Sequence, residues 1–535
     1  MQSLAVRSSG VEPDPHRQPV ADGQPVADQT EDSEPSLDDP ELGAGNIRHR
    51  AVTGAVVDTL RAIGVRGVGV LGTLVTARLL TPYDFGLVAV GATILAFGDF
   101  LDDGGLGPAL IRRPEAPARK ELRALLAFQL ALDVLIVVLV GLVMLPFGEL
   151  GEVTTLIVIS LPLGALRVPA TIIYERRLDY RPMAVVEIVS TAVYFAWAIA
   201  LIVVGWGVWA LATAYIVREL VASVLMLILL REGRVLPVPS FTTIRPMLRF
   251  GVRYQATQLA HMLRDQGVNI AVATFGGVAM LGLWQIAWKI LQIPIALFQA
   301  LWRVAFPGMS RLVAAGEDLG PTIERVMGLV AIGTCAMLAP LAASAVPWIH
   351  ILLGTRWSGA APSIPPACFA MMFGVPISVA LSGYLWAVGL AEVPLRAALF
   401  GIPAVGVIML PLLPAFGIVA VGLGYIGSAA VESALFIYAA RQTTSFTFFA
   451  RVAVPVAAGA LAIACGWLVA RWVGPDLAGA LASSVTAGAV FLGLLAAVHR
   501  SALAEAWRLI WRGMRGAMAR SLDAPAHAQP KPAAG

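Results

Sequence analysis

Charge is scarce in this sequence. Aspartate, glutamate, lysine and arginine make up 13% of the 535 residues, whereas a soluble globular domain carries about 25%. Only three residues are lysines, and the basic residues are not collected into the patch that nucleic-acid binding requires. Because 58% of the residues are hydrophobic, the composition excludes a soluble globular domain and argues against nucleic acid as a partner.

Cysteine and the motifs of enzyme chemistry are also nearly absent. Cys335, Cys368 and Cys465 stand far apart within apolar runs, which excludes a disulfide framework and a zinc-ligand spacing. The sequence has no glycine-rich phosphate loop, metalloprotease motif or nucleophile–base set. We therefore expect a protein that is not an enzyme and that has no catalytic residue, metal site, cofactor or ATPase site.

Long apolar runs dominate the chain instead. Runs of about 20 residues are long enough to cross a hydrocarbon core of ~30 Å as helices. They predict an all-α polytopic membrane protein with about 14 transmembrane helices. The predicted spans are 56–79, 85–104, 121–146, 153–174, 184–204, 208–230, 252–275, 279–304, 326–350, 362–388, 395–414, 417–440, 450–471 and 476–498.

The charges between the spans predict their orientation. Basic residues gather in alternate loops, which by the positive-inside rule face the cytoplasm. Both chain ends then lie on the cytoplasmic side of the plasma (inner) membrane. The basic residues of these loops include Arg112, Arg113, Arg119, Lys120, Arg123, Arg176, Arg177, Arg181, Arg231, Arg234, Arg325 and Arg441.

The two ends of the chain differ from its apolar middle. Residues 1–47 hold ten acids and six prolines, a composition typical of a disordered tail. Within residues 499–535, apolar residues such as Leu503 and Trp507 recur at helical spacing, and basic residues such as Arg508 lie on another face. This pattern predicts a basic amphipathic helix on the cytoplasmic leaflet, so membrane lipid is an expected partner.

A weak internal repeat divides the spans. "TPYDFGLVAV" (81–90) and "GVAMLGLWQI" (277–286) each place a Gly-Leu pair where a loop enters a helix. The repeat joins spans 1–2 to spans 7–8 in the same orientation, as in transporters built from parallel repeats. We expect one lobe of six helices at 48–231, a second at 232–441, and two further helices at 442–498.

Several stretches resemble one family of membrane proteins. "ARLLTPYDFGLVAV" (77–90) and "DDGGLGPALIRRPE" (102–115) are similar to the start of polysaccharide-unit flippases of the Wzx type, and "LLGTRWSGAAP" (352–362) resembles a later part of them. These flippases belong to the multidrug/oligosaccharidyl-lipid/polysaccharide (MOP) exporter superfamily. The resemblance implies two pseudo-symmetric lobes around a central cavity, as in MATE transporters. It also implies transport by alternating access of a polyprenyl-diphosphate-linked oligosaccharide.

Among the cations inside the predicted spans we single out six, because a charge at membrane depth costs at least ~2.5 kcal/mol and a functional role is the default hypothesis. They are Arg61, Arg66, Arg167, Arg218, Arg264 and Lys289. We expect them to bind the diphosphate and sugars of such a substrate, because guanidinium engages phosphate oxygens in pairs and stays charged when buried. Two alternatives remain open. Arg167 and Arg218 reach the membrane surface, or neighbouring acids neutralise Arg218 and Arg264.

Three aspartates end the second span in "FGDFLDDGGLG" (97–107). Asp102 and Asp103 follow Asp99 by three and four residues, so the three are expected to share one helix face, but no other metal ligand converges on them. We interpret Asp102 and Asp103 as the solvated end of the helix. We expect Asp99 to pair with an arginine of span 1 and to be displaced by the diphosphate of the substrate.

Other acids inside the spans are candidates for gating or ion pairing. Glu187 and Asp265 are the residues we single out for these roles. Asp133, Glu187 and Glu432 form no ligand-spaced cluster, and coupling to a cation or proton through one of them stays open.

The leading hypothesis is a flippase for a lipid-linked oligosaccharide in exopolysaccharide, capsule or O-antigen assembly, with the polymerase and export machinery as further partners. One alternative is a MOP exporter of another substrate, either a drug or the peptidoglycan lipid precursor. A second alternative is a membrane glycosyltransferase or polymerase, which would need a catalytic acid or base that the sequence lacks.

Overall fold

The computed structural model describes residues 44–113, 115–314, 319–390, 392–447 and 449–500, together with 503, 504 and 508. Side chains are not described for most positions before 61 or for many between 249 and 314. The predicted acidic tail lies outside the described residues except for 44–47, which are helical rather than disordered. The predicted amphipathic helix after residue 499 also lies outside them, apart from the three single positions.

Every regular element in the described ranges is helical. The first half of the chain forms α1 (Ala44–Leu79), α2 (Pro82–Asp103), α3 (Leu106–Ile111), α4 (Arg119–Met144), α5 (Glu149–Val158), α6 (Leu161–Ala165), α7 (Val168–Arg176), α8 (Arg181–Val203) and α9 (Val208–Leu229). The second half forms α10 (Phe241–Ala271), α11 (Val278–Ala314), α12 (Gly320–Ala343), α13 (Ala345–Leu353), α14 (Ile364–Ala387), α15 (Glu392–Phe416), α16 (Val419–Arg441), α17 (Phe449–Val473) and α18 (Leu477–Val498).

The described helices give fewer candidate spans than the sequence predicts. Twelve segments are long and apolar enough to cross a membrane, and a thirteenth forms if α5–α6 and α7, bent by 50°, count as one. The seventh predicted span is α10, which is not among the described segments that meet this criterion. This helix has 31 residues, but residues 254–271 include eight polar or charged ones. A helix that lines a polar cavity needs fewer apolar residues than one surrounded by lipid.

Local sequence sets both ends of α2. At its start, Thr81 Oγ1 accepts a hydrogen bond from the Asp84 backbone N–H at 3.3 Å, and Asp84 Oδ2 accepts one from the Thr81 backbone N–H at 2.8 Å. This reciprocal cap precedes a proline at the first helical position, which favours initiation. At its end, Gly104 and Gly105 take φ values of 48° and 69°, a left-handed conformation that glycine adopts without strain. The chain therefore breaks just after the aspartates and restarts as α3.

Two groups of helices repeat one set of neighbours. In the first group (α1–α9), α1 packs on α8, α8 on α9, and α5 on α2, α4 and α9. In the second group (α10–α16), α10 packs on α15, α15 on α16, and α14 on α11, α12 and α16. Span by span, the two patterns correspond. The last pair, α17 and α18, packs on α12 of the second group.

The two helix groups touch at the end of the molecule where α1 finishes, here called the Arg78 end. Arg78 Nε donates a hydrogen bond to the Leu352 carbonyl oxygen at 2.8 Å, and its guanidinium also bonds to the Ile351 carbonyl. Trp357 Nε1 donates to the Ala77 carbonyl oxygen at 2.7 Å. These bonds tie α1 to α13 and to the segment that follows it.

The opposite end, here called the Gly104 end, is also in contact across the two groups. Gln255 Nε2 of α10 donates to the Phe100 carbonyl oxygen at 2.8 Å, and Gly251 packs directly against Gly104 and Gly105. Arginines of several loops gather at this end. Arg176 Nη1 bonds to the Leu110 and Arg113 carbonyl oxygens at 2.9 and 2.7 Å, and Arg177 pairs with Glu232 at 2.6 Å.

We predict that Gly86→Ala weakens the contact between α2 and α11. A Cβ at residue 86 would lie 1.9 Å from the Val278 carbonyl oxygen, so one helix must move, and overpacking of this kind costs about 1–3 kcal/mol. Thermal unfolding of the purified protein in detergent should give a lower Tm than for the wild type.

Gly333→Ala in α12 is the matched control for this variant, because a Cβ there meets no atom within 4 Å. Its Tm should stay close to that of the wild type. Equal Tm values for the two alanine variants would contradict a tight contact at Gly86.

A cationic cavity between the two helix groups

Three adjoining cavities lie between the helix groups. The tyrosine chamber, of about 340 Å³, is lined by Tyr194 and Tyr215. The glutamate chamber, of about 580 Å³, is lined by Glu432, and the apolar chamber, of about 450 Å³, is lined by Trp348. Gln292 of α11 lines all three chambers. The cavities therefore meet around the middle of α11.

Two of the six cations singled out from the sequence face these chambers. Arg66 of α1 lines the glutamate and apolar chambers, and Lys289 of α11 lines the tyrosine and apolar chambers. Both residues are exposed within the cavity, and Lys289 Nζ donates a hydrogen bond to Thr73 Oγ1 at 3.0 Å. Within the part of the chain that the structure describes, neither forms an ion pair with a carboxylate. Both positive charges are therefore available to an anion.

An aromatic wall stands beside the cations. The rings of Trp284 and Tyr425 stack at 5.6 Å between centroids, and those of Trp288 and Tyr425 stack at 5.7 Å. Trp284 and Trp288 are one helical turn apart on α11, and Tyr425 comes from α16. Trp288 and Tyr425 line both the tyrosine and glutamate chambers. The wall therefore gives these chambers flat apolar surfaces with a few polar edges.

Uncharged hydrogen-bonding groups complete the tyrosine chamber. Gln285 lies four residues before Lys289 and Gln292 three residues after it, so the three share one face of α11. Gln266 and Asn269 of α10 face the same chamber, and Asn269 Nδ2 donates to Gln266 Oε1 at 3.0 Å. A cavity with two cations, several amides and aromatic faces suits a ligand that is anionic at one part and rich in hydroxyl groups at another.

Arg61 has a different role from the one expected. Its Nη1 forms an ion pair with Glu187 Oε2 at 2.7 Å, which joins α1 to α8 within the first helix group. Arg61 lines none of the three chambers described above. Glu187, a candidate gate from the sequence, is its partner. The pair neutralises both charges at the surface between two helices.

Arg167 and Arg218 gather around one carboxylate. Glu219 forms an ion pair with Arg167, and Arg218 Nε lies 3.9 Å from Glu219 Oε1. Neutralisation by a neighbouring acid, one of the alternatives left open for Arg218, is therefore what the geometry favours. Asp99 lies within electrostatic range of this trio.

The expected pairing of Asp99 with an α1 arginine is not found among the described residues. Arg61 is bonded to Glu187, and the charged groups that act on Asp99 are Glu219, Arg167 and Arg218. The rise per residue along antiparallel helices gives the depth of a side chain in the membrane. It does not give the direction in which Asp99 points around α2.

Two further candidates cannot be placed. Arg264 and Asp265 belong to α10, but their side chains lie outside the described residues. Their neighbours Gln266 and Asn269 line the tyrosine chamber, so this stretch of α10 borders the cavity. A ligand role for Arg264 and a gating role for Asp265 remain predictions.

Comparison with known proteins decides the family. Residues 75–362, more than half of the chain, match the family described as "Polysaccharide biosynthesis protein". The chain belongs to this family. Over 335 residues it is 23% identical to the lipopolysaccharide biosynthesis protein WzxC of Escherichia coli K12, an alignment that covers 60% of this chain and 67% of the relative. Over 311 residues it is 23% identical to the succinoglycan biosynthesis transport protein ExoT of Rhizobium meliloti, covering 57% and 62%.

The fold of this polysaccharide biosynthesis protein matches a solved flippase. The lipid II flippase MurJ, in an inward closed conformation, superposes with a TM-score of 0.62 at 11% identity, over 84% of this chain and 100% of that chain. A MATE multidrug transporter of the MOP superfamily aligns over 71% and 96%, with a TM-score of 0.47 and 18% identity. The chain is a multi-pass membrane protein with a MurJ-like fold.

The aromatic wall of this family member was not predicted from the sequence. Gln285, Lys289 and Gln292 share one face of α11, and Trp284 and Trp288 adjoin that face. This helical phase is visible in the sequence and could have located the wall. No local signal points to Tyr425, because its contact with α11 joins residues more than 130 positions apart.

We predict that the Arg61–Glu187 pair is energetically coupled. Arg61→Ala or Glu187→Ala alone leaves one charge without this partner between membrane helices, whereas the double variant removes both. The double variant should therefore be more stable than the sum of the single losses implies, by about 1–3 kcal/mol. Thermal unfolding of the four proteins in detergent measures this coupling.

The Arg396–Glu392 pair of α15 is the control for this cycle. Its side chains are 65% and 76% exposed, so the same cycle should give a coupling of only about 0.3–0.5 kcal/mol. Equal coupling in the two pairs would show that Arg61 and Glu187 interact no more strongly than an exposed surface pair.

Proposed function

We propose that this polysaccharide biosynthesis protein is a flippase. It moves an isoprenoid-diphosphate-linked oligosaccharide from the cytoplasmic to the outer leaflet of the plasma membrane, for export of exopolysaccharide, capsule or O-antigen. The single observation that carries the proposal is the cavity in which Arg66 and Lys289 face the ligand space without a carboxylate partner among the described residues. The names of WzxC and ExoT give the proposal its direction.

The substrate and the cavity are chemically complementary. A diphosphate needs cations in a low-dielectric site, and Arg66 and Lys289 supply them from two facing helices. Sugar hydroxyls need donors and acceptors, which Gln285 and Gln292 supply, and the faces of sugar rings can lie against Trp288. The polyprenyl tail needs no polar site, because it stays in lipid while the head crosses.

The two helix groups support a proposal of transport by alternating access. We infer that the first and second groups are the pseudo-symmetric lobes expected at 48–231 and 232–441, and that each opens the cavity by moving relative to the other. The contacts at the Arg78 end and at the Gly104 end would then be the two gates. The described contacts that join the lobes include hydrogen bonds and close glycine contacts at each gate and the packing of α2 on α11. Opening a gate would break contacts between the lobes and leave those within each lobe.

The orientation in the membrane completes the proposal. We assign the Gly104 end to the cytoplasm, because the arginines of several loops gather there and the positive-inside rule favours that side. Both chain ends then face the cytoplasm, with residues 499–535 on the anionic leaflet. The outer face is the side on which a polymerase and the export machinery would receive the product.

We predict that Arg66→Ala and Lys289→Ala each abolish export while the protein stays inserted. Removal of one cation leaves the diphosphate with a single positive contact, and an ionic hydrogen bond contributes about 1.5–3 kcal/mol, so transport should fall by at least about tenfold. Arg66→Lys should keep partial activity, because it keeps the charge but loses the bidentate geometry. The measurements are surface polymer and accumulation of the lipid-linked intermediate inside the cell.

Arg396→Ala is the matched control, since this arginine is exposed on α15 and lies outside the three chambers. Normal export by both cavity variants would contradict the proposed ligand site. The lipid that accumulates when the protein is deleted identifies the substrate. Accumulation of the peptidoglycan precursor, or drug sensitivity without any lipid intermediate, would contradict the proposed substrate class.

A further inference from the structure

A buried acidic pocket lies inside the first helix group, apart from the three chambers. Asp102 of α2 is 9% exposed, and Gln129 and Asp133 of α4 are 2% and 0% exposed. Gln129 and Asp133 are four residues apart, so they share one face of α4. Because α2 and α4 pack against each other, that face meets the aspartates at the end of α2.

The hydrogen bonds of this pocket are unbalanced. Gln129 Nε2 donates to Asp102 Oδ2 at 3.1 Å and to the Asp102 carbonyl oxygen at 3.4 Å, which uses both hydrogens of the amide. The oxygens Asp102 Oδ1, Gln129 Oε1, Asp133 Oδ1 and Asp133 Oδ2 are buried and have no hydrogen-bond partner among the described residues. The pocket therefore holds four unused acceptors and no remaining donor.

The charges around the pocket make the imbalance greater. The charged groups that act on Asp102 are all acids, namely Asp133, Asp99 and Asp103, and the one that acts on Asp133 is Asp99. Asp103 accepts hydrogen bonds from the Gly105 backbone N–H and from Gln255 of α10.

The nearby cations do not compensate for the pocket. Glu219 pairs with Arg167, beside the bend between α6 and α7, and lies near Arg218 of α9. The aspartate on which these three groups act electrostatically is the exposed Asp99. Two buried carboxylates without a cation cost far more than two neutral groups.

We infer that Asp102, Gln129 and Asp133 form a proton-binding site. A proton on Asp133 removes one charge and supplies the missing donor, which Gln129 Oε1 or Asp102 Oδ1 can accept. A proton fits better than a metal ion, because the described residues contain no group of three or more acidic, histidine or cysteine side chains that could hold one. Asp99 is exposed, and its charge acts on both pocket carboxylates. It gives the proton a route from the Gly104 end.

The position of the pocket links it to transport. Helix α2 carries Asp102 near its end and lines the tyrosine chamber with Val88, Ala89 and Thr93. Loading and release of the proton change the charge between α2 and α4, and they bias the movement of a helix that also contacts the second helix group. This coupling rests on the proposed flippase function, whereas proton binding at the pocket does not.

Infrared difference spectroscopy of the purified, substrate-free protein tests the site itself. The wild type should show a protonated-carboxyl band that disappears reversibly as the pH rises, and Asp133→Asn should lack it. Asp179→Asn, which changes a half-buried loop carboxylate outside the pocket, should keep the band. A wild-type band that is absent, that persists at every pH, or that survives in Asp133→Asn would overturn the proposal. A stabilisation by Na⁺ that Asp133→Asn removes would also overturn it in favour of a sodium site.

Transport in proteoliposomes tests the coupling. A pH gradient should stimulate flipping of the lipid-linked oligosaccharide by the wild type and by Asp179→Asn, and the stimulation should fall about tenfold in Asp133→Asn and Asp102→Asn. Wild-type flipping that ignores the gradient would overturn the coupling. An absence of flipping by the wild type would instead contradict the flippase function, and the infrared result would still decide the proton site. Thermal unfolding should show that Asp133→Asn folds, because asparagine fills the same space without a charge.

Discussion

The cost of a charge inside a membrane is the constraint on which this structure depends. A charged side chain between lipid-facing helices must meet an opposite charge, while one that faces a polar cavity can remain unpaired. An opposite charge is found by Arg61, which pairs with Glu187, and by Arg167 and Arg218, which lie beside Glu219. Arg66 and Lys289 instead face chambers between the helix groups. Among the described residues, paired charges thus join helices within the first group, and the charges without a carboxylate partner face the cavity between the groups.

The same constraint explains how the two helix groups meet. A broad polar interface would fix them in one arrangement, and a broad apolar one would leave no room for the cavity. The described contacts instead leave the cavity between them. Helix α2 packs on α11, where Gly86 lets the backbones touch, and Gly251 packs against Gly104 and Gly105. At the two ends, Arg78 and Gln255 add hydrogen bonds to carbonyl oxygens.

The parts of the fold that sequence could predict are those governed by local composition. Apolar runs located the helices, because burial in lipid demands them, and the count failed at α10, whose polar residues border the cavity. Membrane depth also singled out Arg66 and Lys289. It could not separate them from Arg61 or Arg167, because hydropathy reports depth and not the direction in which a side chain points. Partners such as Glu187 for Arg61, or Tyr425 for Trp284, depend on contacts between distant segments.

Asp102 shows how burial changes the meaning of a residue. In the sequence it reads as the solvated end of a helix, beside the glycines that end α2. In the fold it is 9% exposed and faces Gln129 of α4, so it is a buried group that needs neutralisation. Two adjacent carboxylates separate in this way because they point to different sides of α2, Asp103 towards Gln255 of α10 and Asp102 towards α4. One helix end therefore contacts α10 through one aspartate and the acidic pocket through the next. If the Gly104 end is a gate, as proposed, the pocket lies one residue from the contact that closes it.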